Sequence, residues 1–153
     1  MSNFKLLFIV PGMLVSAALQ ASGKVSAPPD PTYVQECGSC HVAYPARLLS
    51  GSSWRTLLAG LDHHFGVDAS LEAEALTDIS RYLDANARRR ETSGGDGKPI
   101  LRITETRWFR HEHDDVPEAT WKLAAVKSAA NCSACHTRAE QGSYSEHDIH
   151  LPK

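Results

Sequence analysis

Two pentapeptides, Cys37-Gly38-Ser39-Cys40-His41 and Cys132-Ser133-Ala134-Cys135-His136, contain all four cysteines of this 153-residue chain and decide how it is read. Both fit CxxCH, the attachment pattern of c-type haem. The spacing has a chemical reason. Two thiols three positions apart form thioethers with the two vinyl groups of one porphyrin, and the adjacent histidine is delivered to the iron as its proximal ligand. Chance would give roughly 0.005 such pentapeptides in this composition, so a pair is a strong signal. A thioredoxin-type dithiol expects a strand followed by a helix, a setting that neither motif has. Disulfides or a zinc site would use the cysteines, but neither calls for a histidine directly after both pairs. The motifs therefore predict two covalently bound haem c groups, attached through Cys37, Cys40, Cys132 and Cys135, with His41 and His136 on the irons.

The rest of the composition agrees. With 42% hydrophobic and 22% charged residues, a largely disordered chain is excluded. A formal charge of −2, from 16 Lys+Arg against 18 Asp+Glu, speaks against a general nucleic-acid binder. Aromatic residues make up only 7%, so a core built from protein alone would be modest. Two porphyrins repair that shortage, because each face is a large apolar surface for side chains to cover.

Residues 1–21 read as a secretory signal: Lys5 is positive, residues 6–19 are mostly apolar, and Ala21 offers a small residue for cleavage. Pro11 and Gly12 interrupt the run, which is too short for a membrane span. Cleavage leaves roughly 132 residues, expected to be exported and, in a bacterium, periplasmic. Residues 22–31, with three prolines, read as a flexible lead-in. An N-terminal haem lobe follows over 32–91, then a Gly-rich linker over 92–99 and a C-terminal haem lobe with its tail over 100–153.

The fold class expected is mainly α: two small c-type haem lobes with short helices and long loops. Trp54, Leu57, Leu58, Leu61 and Phe65 recur at helical spacing, with Gly66 as a stop. Ser70 suits the cap of a second helix carrying Leu71, Ala75, Ile79, Tyr82 and Leu83, whose end holds Arg88, Arg89 and Arg90. Residues 100–106 suggest one short strand, and Pro117 opens a helix to about Lys127. The polar tail from Ser143 is expected along the surface.

The sixth ligands come next. Axial methionine raises haem potential relative to histidine, and the only methionines are Met1 and Met13, both in the predicted leader. If both irons are six-coordinate, the remaining ligands are most simply histidines, drawn from His63, His64, His111, His113, His147 and His150, which implies low potentials. At about 100° per residue from Trp54, the four other apolar residues lie within about 60°, His64 near 280° and His63 near 180°. His64 flanks the apolar face and is the better ligand, while His63 faces away. Trp108 and Phe109 leave the apolar direction around His111 and His113 undefined, so periodicity does not choose between them. His147 and His150, in the polar tail, read as surface residues. The second ring nitrogen of each ligand is expected to donate to a carbonyl or carboxylate. His41 precedes His64 by 23 residues and His113 precedes His136 by 23, so the halves are not a tandem copy.

From about Tyr33 onward the chain resembles the bacterial dihaem cytochrome c family whose known partner is the oxygen-binding sphaeroides haem protein. The likeness lies in the first CxxCH, in Leu61-Asp62-His63-His64-Phe65-Gly66, in Thr104-Glu105-Thr106-Arg107-Trp108-Phe109, and in the stretch from Asn131 to Gly142. It matches the family's His-Phe-Gly element to His64-Phe65-Gly66, and the histidine following the Trp-Phe pair to His113. It implies two bis-histidine haems, electron transfer to that soluble partner, and a membrane cytochrome b as electron source. A haem enzyme or gas sensor with one open coordination site is the competing class. The small subunit of periplasmic nitrate reductase is another, although its motif spacing is shorter than the 95 residues from Cys37 to Cys132. The arginines at 88–90 and the acidic stretch Glu112, Asp114, Asp115 and Glu118 read as solvated surface.

Overall fold

The computed structural model describes residues 29–152. The predicted signal sequence and most of the expected lead-in, Met1 and Met13 included, lie outside the described residues. Helix α1, Pro31–Cys37, starts where sequence chemistry allows: Asp30 accepts the Tyr33 N–H at 3.0 Å and Pro31 occupies the first turn. Ser50 caps α2, Gly51–Leu58, and α3 spans Ala73–Asn86. Both α1 and α2 pack on α3. Tyr33, Ala46, Leu49, Trp54, Ile79 and Leu83 form the core between them. Trp54 Nε1–H donates to the Ala46 carbonyl at 2.7 Å, so its polar edge is satisfied inside the core.

The apolar periodicity of residues 54–65 predicts one helix, but α2 ends at Leu58. Gly60 breaks it, a 3-10 turn follows over Leu61–His63, and Phe65 adopts a positive φ of 51° ahead of Gly66 at 100°. The segment Asp62-His63-His64 has weak helix propensity and gives the backbone no reason to continue. Ser70 does not cap α3. Its N–H bonds the Asp68 carboxylate, and Glu72 occupies the cap without a side-chain bond. The arginines at 88–90 are not in the last turn of α3 either, because Leu49 captures the Arg88 N–H at 2.8 Å and draws the chain away extended after Asn86.

The predicted strand over 100–106 is absent. A strand needs a partner, and among the described residues none is offered. Ile103–Glu105 instead form a 3-10 turn, and Thr106 caps α4, Arg107–Glu112, by accepting the Phe109 N–H. The helix opened by Pro117 is short: α5 covers Glu118–Trp121. The Gly-rich stretch folds back on itself through Gly94 N–H to Lys98 O and a bridge between Ser93 and Pro99. Thr92 anchors it to the buried hydroxyls of Ser50 and Ser53. The chain is mainly helical, with isolated bridges and no sheet among the described residues.

Burial is uneven. Beyond residue 100, Thr106, Val126 and Ala139 are the buried positions among the described residues. The N-terminal core is therefore where truncation should register. Ile79→Ala is expected to cost about 2–5 kcal/mol. Trp54→Phe, which removes the indole N–H bond and leaves the Ala46 carbonyl only the 3.4 Å bond from Leu49 N–H, should cost about 1 kcal/mol. Urea unfolding followed by far-ultraviolet circular dichroism checks both.

Candidate functional site

Cys37 is the last residue of α1, and the first motif turns at once out of the helix. A Cβ at Gly38 would run into the Val34 carbonyl, so glycine is what the turn requires. The Ser39 hydroxyl donates to Glu36 O at 2.9 Å and tightens it. His41 then projects from an irregular loop, its Nδ1–H donating to Val42 O at 2.8 Å and its ring stacked on Tyr44 at 4.6 Å. Opposite stands His64, with ring centroids 6.4 Å apart. The turn after α2 places it: His64 N–H bonds Leu61 O, and its own carbonyl accepts the Val67 N–H. His63 points the other way, 87% exposed against the Asp62 carboxylate. The angular argument for His64 thus does not apply past Leu58, and the turn rather than a helix face selects the ring.

The second motif is built differently. Cys132–Ala134 form a 3-10 turn, and His136 N–H returns to Cys132 O at 2.8 Å. The tail straps this turn: Thr137 bonds Asp148 O, and His150 N–H bonds Cys135 O at 2.8 Å. His113 sits at the C-terminal end of α4, its Nδ1–H donating to Phe109 O at 2.9 Å. Its ring stacks on Phe109 at 4.1 Å, with Trp121 6.0 Å away. His113 and His136 have ring centroids 6.1 Å apart. His111 is 79% exposed beside Asp114. The structure thus brings together His41 with His64 and His113 with His136, and leaves His63, His111, His147 and His150 exposed.

These separations fit a metal held between two rings. A metal–imidazole bond of about 2 Å plus a ring radius of about 1 Å puts two opposed centroids about 6 Å apart. Both pairs fall there. Burial, and the neighbouring His41 and Arg102 charges, lower the His64 pKa; burial and His113 lower that of His136. Both shifts favour the neutral ring, the form that binds metal. Their buried Nδ1 atoms have no partner among the described residues, so the expected carbonyl acceptor is present at His41 and His113 but not at His64 and His136. Orphaned buried ring nitrogens are costly in a site made of protein alone.

All four cysteines are free. Burial pushes the thiols of Cys37 and Cys132 up to about 11 and raises that of Cys135, the opposite of an activated dithiol. Among the described residues no group of three or more His, Cys, Asp or Glu converges as a zinc site would.

Residues 33–144 match the family described as dihaem cytochrome c. The chain belongs to the dihaem cytochrome c family. A dihaem cytochrome c structure from Shewanella baltica is 36% identical, with a TM-score of 0.70 over 82% of this chain and 94% of that one. Two from Rhodobacter sphaeroides are 44% and 43% identical, with TM-scores of 0.65 and 0.66 over 75% of this chain and 96% of theirs. No functionally curated protein matches the chain. As a dihaem cytochrome c, it carries two covalently bound haem c groups.

Sequence reasoning did not single out Tyr44 and Tyr144, the aromatic neighbours of His41 and His136. Both are single aromatics in loops, with no periodic signal to mark them. Arg102, placed 4.0 Å over the Phe65 ring, was equally unmarked. The pyridine haemochrome of the purified chain should report two haems, and a Cys37→Ala/Cys40→Ala variant one.

Proposed function

We propose that the chain is a periplasmic electron carrier working through two low-potential, bis-histidine haems. Its soluble partner would be an oxygen-binding cytochrome of the sphaeroides haem protein type, with a membrane cytochrome b as donor. The opposed imidazoles carry this reading, because a ring on each side leaves an iron no open position for a substrate or a gas. Cys37 and Cys40 would hold one group, with His41 and His64 on its iron; Cys132 and Cys135 the other, with His136 and His113. When bound, each haem supplies an iron that alternates between ferric and ferrous states.

The chain's own residues do the rest. Val42 O and Phe109 O fix the tautomers of His41 and His113 and strengthen them as donors. Tyr44 and Phe109 stack on those rings and hold their planes in place. With Met1 and Met13 both in the predicted leader, no thioether remains to raise either potential. Nothing in this scheme requires a reacting side chain, so the chain is read as a carrier rather than an enzyme.

Low-temperature electron paramagnetic resonance should show two low-spin ferric signals and no high-spin iron. His64→Met and His113→Met should each raise one potential by on the order of 100 mV, whereas His63→Ala should raise neither. Carbon monoxide binding to half of the reduced haem would overturn the reading in favour of an open-site enzyme or sensor.

A further inference from the structure

We propose that Tyr44 is the bridge through which the two haem centres exchange an electron, its phenol spanning from the His41 ring to the peptide that leads into Cys132. The inference rests on the carrier reading above and adds a route to it. The Tyr44 ring lies 4.6 Å from His41 at an interplanar angle of 18°. Its hydroxyl donates to the Ala130 carbonyl at 2.7 Å, a contact that spans 86 positions of sequence. That same carbonyl accepts the Cys132 N–H at 3.0 Å. Ligand ring, phenol, hydrogen bond, peptide and attachment cysteine thus follow one another without a gap.

The phenol is held in place from both sides. Tyr33 is buried in the N-terminal core, and its hydroxyl donates to the Tyr44 carbonyl at 2.6 Å. Trp54 pins Ala46 two residues on. Two other sets of contacts among the described residues lead nowhere comparable. Tyr144 lies 5.3 Å from His136, but its buried hydroxyl has no partner among the described residues. The Ser50, Ser53 and Thr92 hydroxyls end in the Gly-rich turn. In the exchange, one electron leaves the ferrous centre and arrives at the ferric one. Tyr44 keeps its proton throughout, and no bond forms or breaks.

Tyr44→Phe keeps the ring and removes the hydroxyl; Tyr44→Leu removes both. Two-dimensional exchange spectroscopy on the haem-methyl protons of a half-reduced sample, repeated on dilution to remove intermolecular transfer, gives the intramolecular rate. Tyr44→Phe is expected to lower it severalfold to about tenfold, the scale of losing one contact in a connected network. Tyr44→Leu should lower it at least as much, and where that variant fails to load haem Tyr44→Phe decides alone. Two low-spin signals and a protected Cys132 amide should persist. An unchanged rate in Tyr44→Phe, with both signals intact, would sink the bridge and leave the carrier reading standing. A slowed rate accompanied by a loosened Cys132 amide would also overturn it, since the hydroxyl would then only hold the motif in place. A wild-type protein lacking two low-spin signals would instead strike at the ligation itself.

Discussion

Two pairs of imidazoles whose ring centroids stand about 6 Å apart impose the main constraint on this fold. Long helices packed side by side would close such a gap, since helix axes approach to about 8–10 Å and side chains fill the space between them. The chain instead uses helices of 4 to 14 residues joined by turns, which leave slots where rings face one another. The two halves accept this differently. The N-terminal half keeps a protein core on α3, built from Ile79, Leu83, Tyr33 and Trp54. Beyond residue 100 the buried apolar residues among those described are Val126 and Ala139, so that half has little protein core of its own.

The haem-binding signature was legible because it is local. CxxCH packs two thiols and a histidine into five residues, so no knowledge of the fold is needed to see it. His64 and His113 were less so, and for instructive reasons. The helical wheel selected His64 over His63 while assuming a helix through Phe65 that ends at Leu58. A 3-10 turn happens to keep His64 inward and His63 outward, so an argument from the wrong geometry selected the ring that faces His41. For His111 and His113 the spacing was silent, because α4 is barely one and a half turns long and defines no face. There the choice comes from Phe109, whose carbonyl and ring both hold His113.

Other misreadings share a cause: local preference was overruled by a long-range contact. Arg88 leaves α3 because Leu49 takes its N–H across 39 residues. Residues 100–106 have strand-like composition but no neighbour to pair with, and the backbone closes on itself through Thr106 and Ile103. Tyr44, which carried no reading at all, depends on a long-range contact in the same way. In sequence it is an unremarkable aromatic three residues past a motif; its role depends on Ala130, which the fold alone brings near.

Hydrogen bonding at the four rings follows a crosswise pattern. In the first pair the motif histidine, His41, has its Nδ1–H anchored on a carbonyl and His64 does not. In the second pair the anchored ring is His113, and the motif histidine, His136, is bare. Each pair therefore joins one ring of fixed tautomer to one whose Nδ1 has no partner among the described residues. The pattern also bears on the build of the chain. The first motif precedes its opposed ring by 23 residues and the second follows its own by the same interval. In both pairs the anchored ring is the earlier of the two along the chain, whether or not it belongs to a motif. What the halves share is the order in which an anchored ring and a bare ring are laid down, so their likeness lies in the requirements of the bound group rather than in a copied local structure.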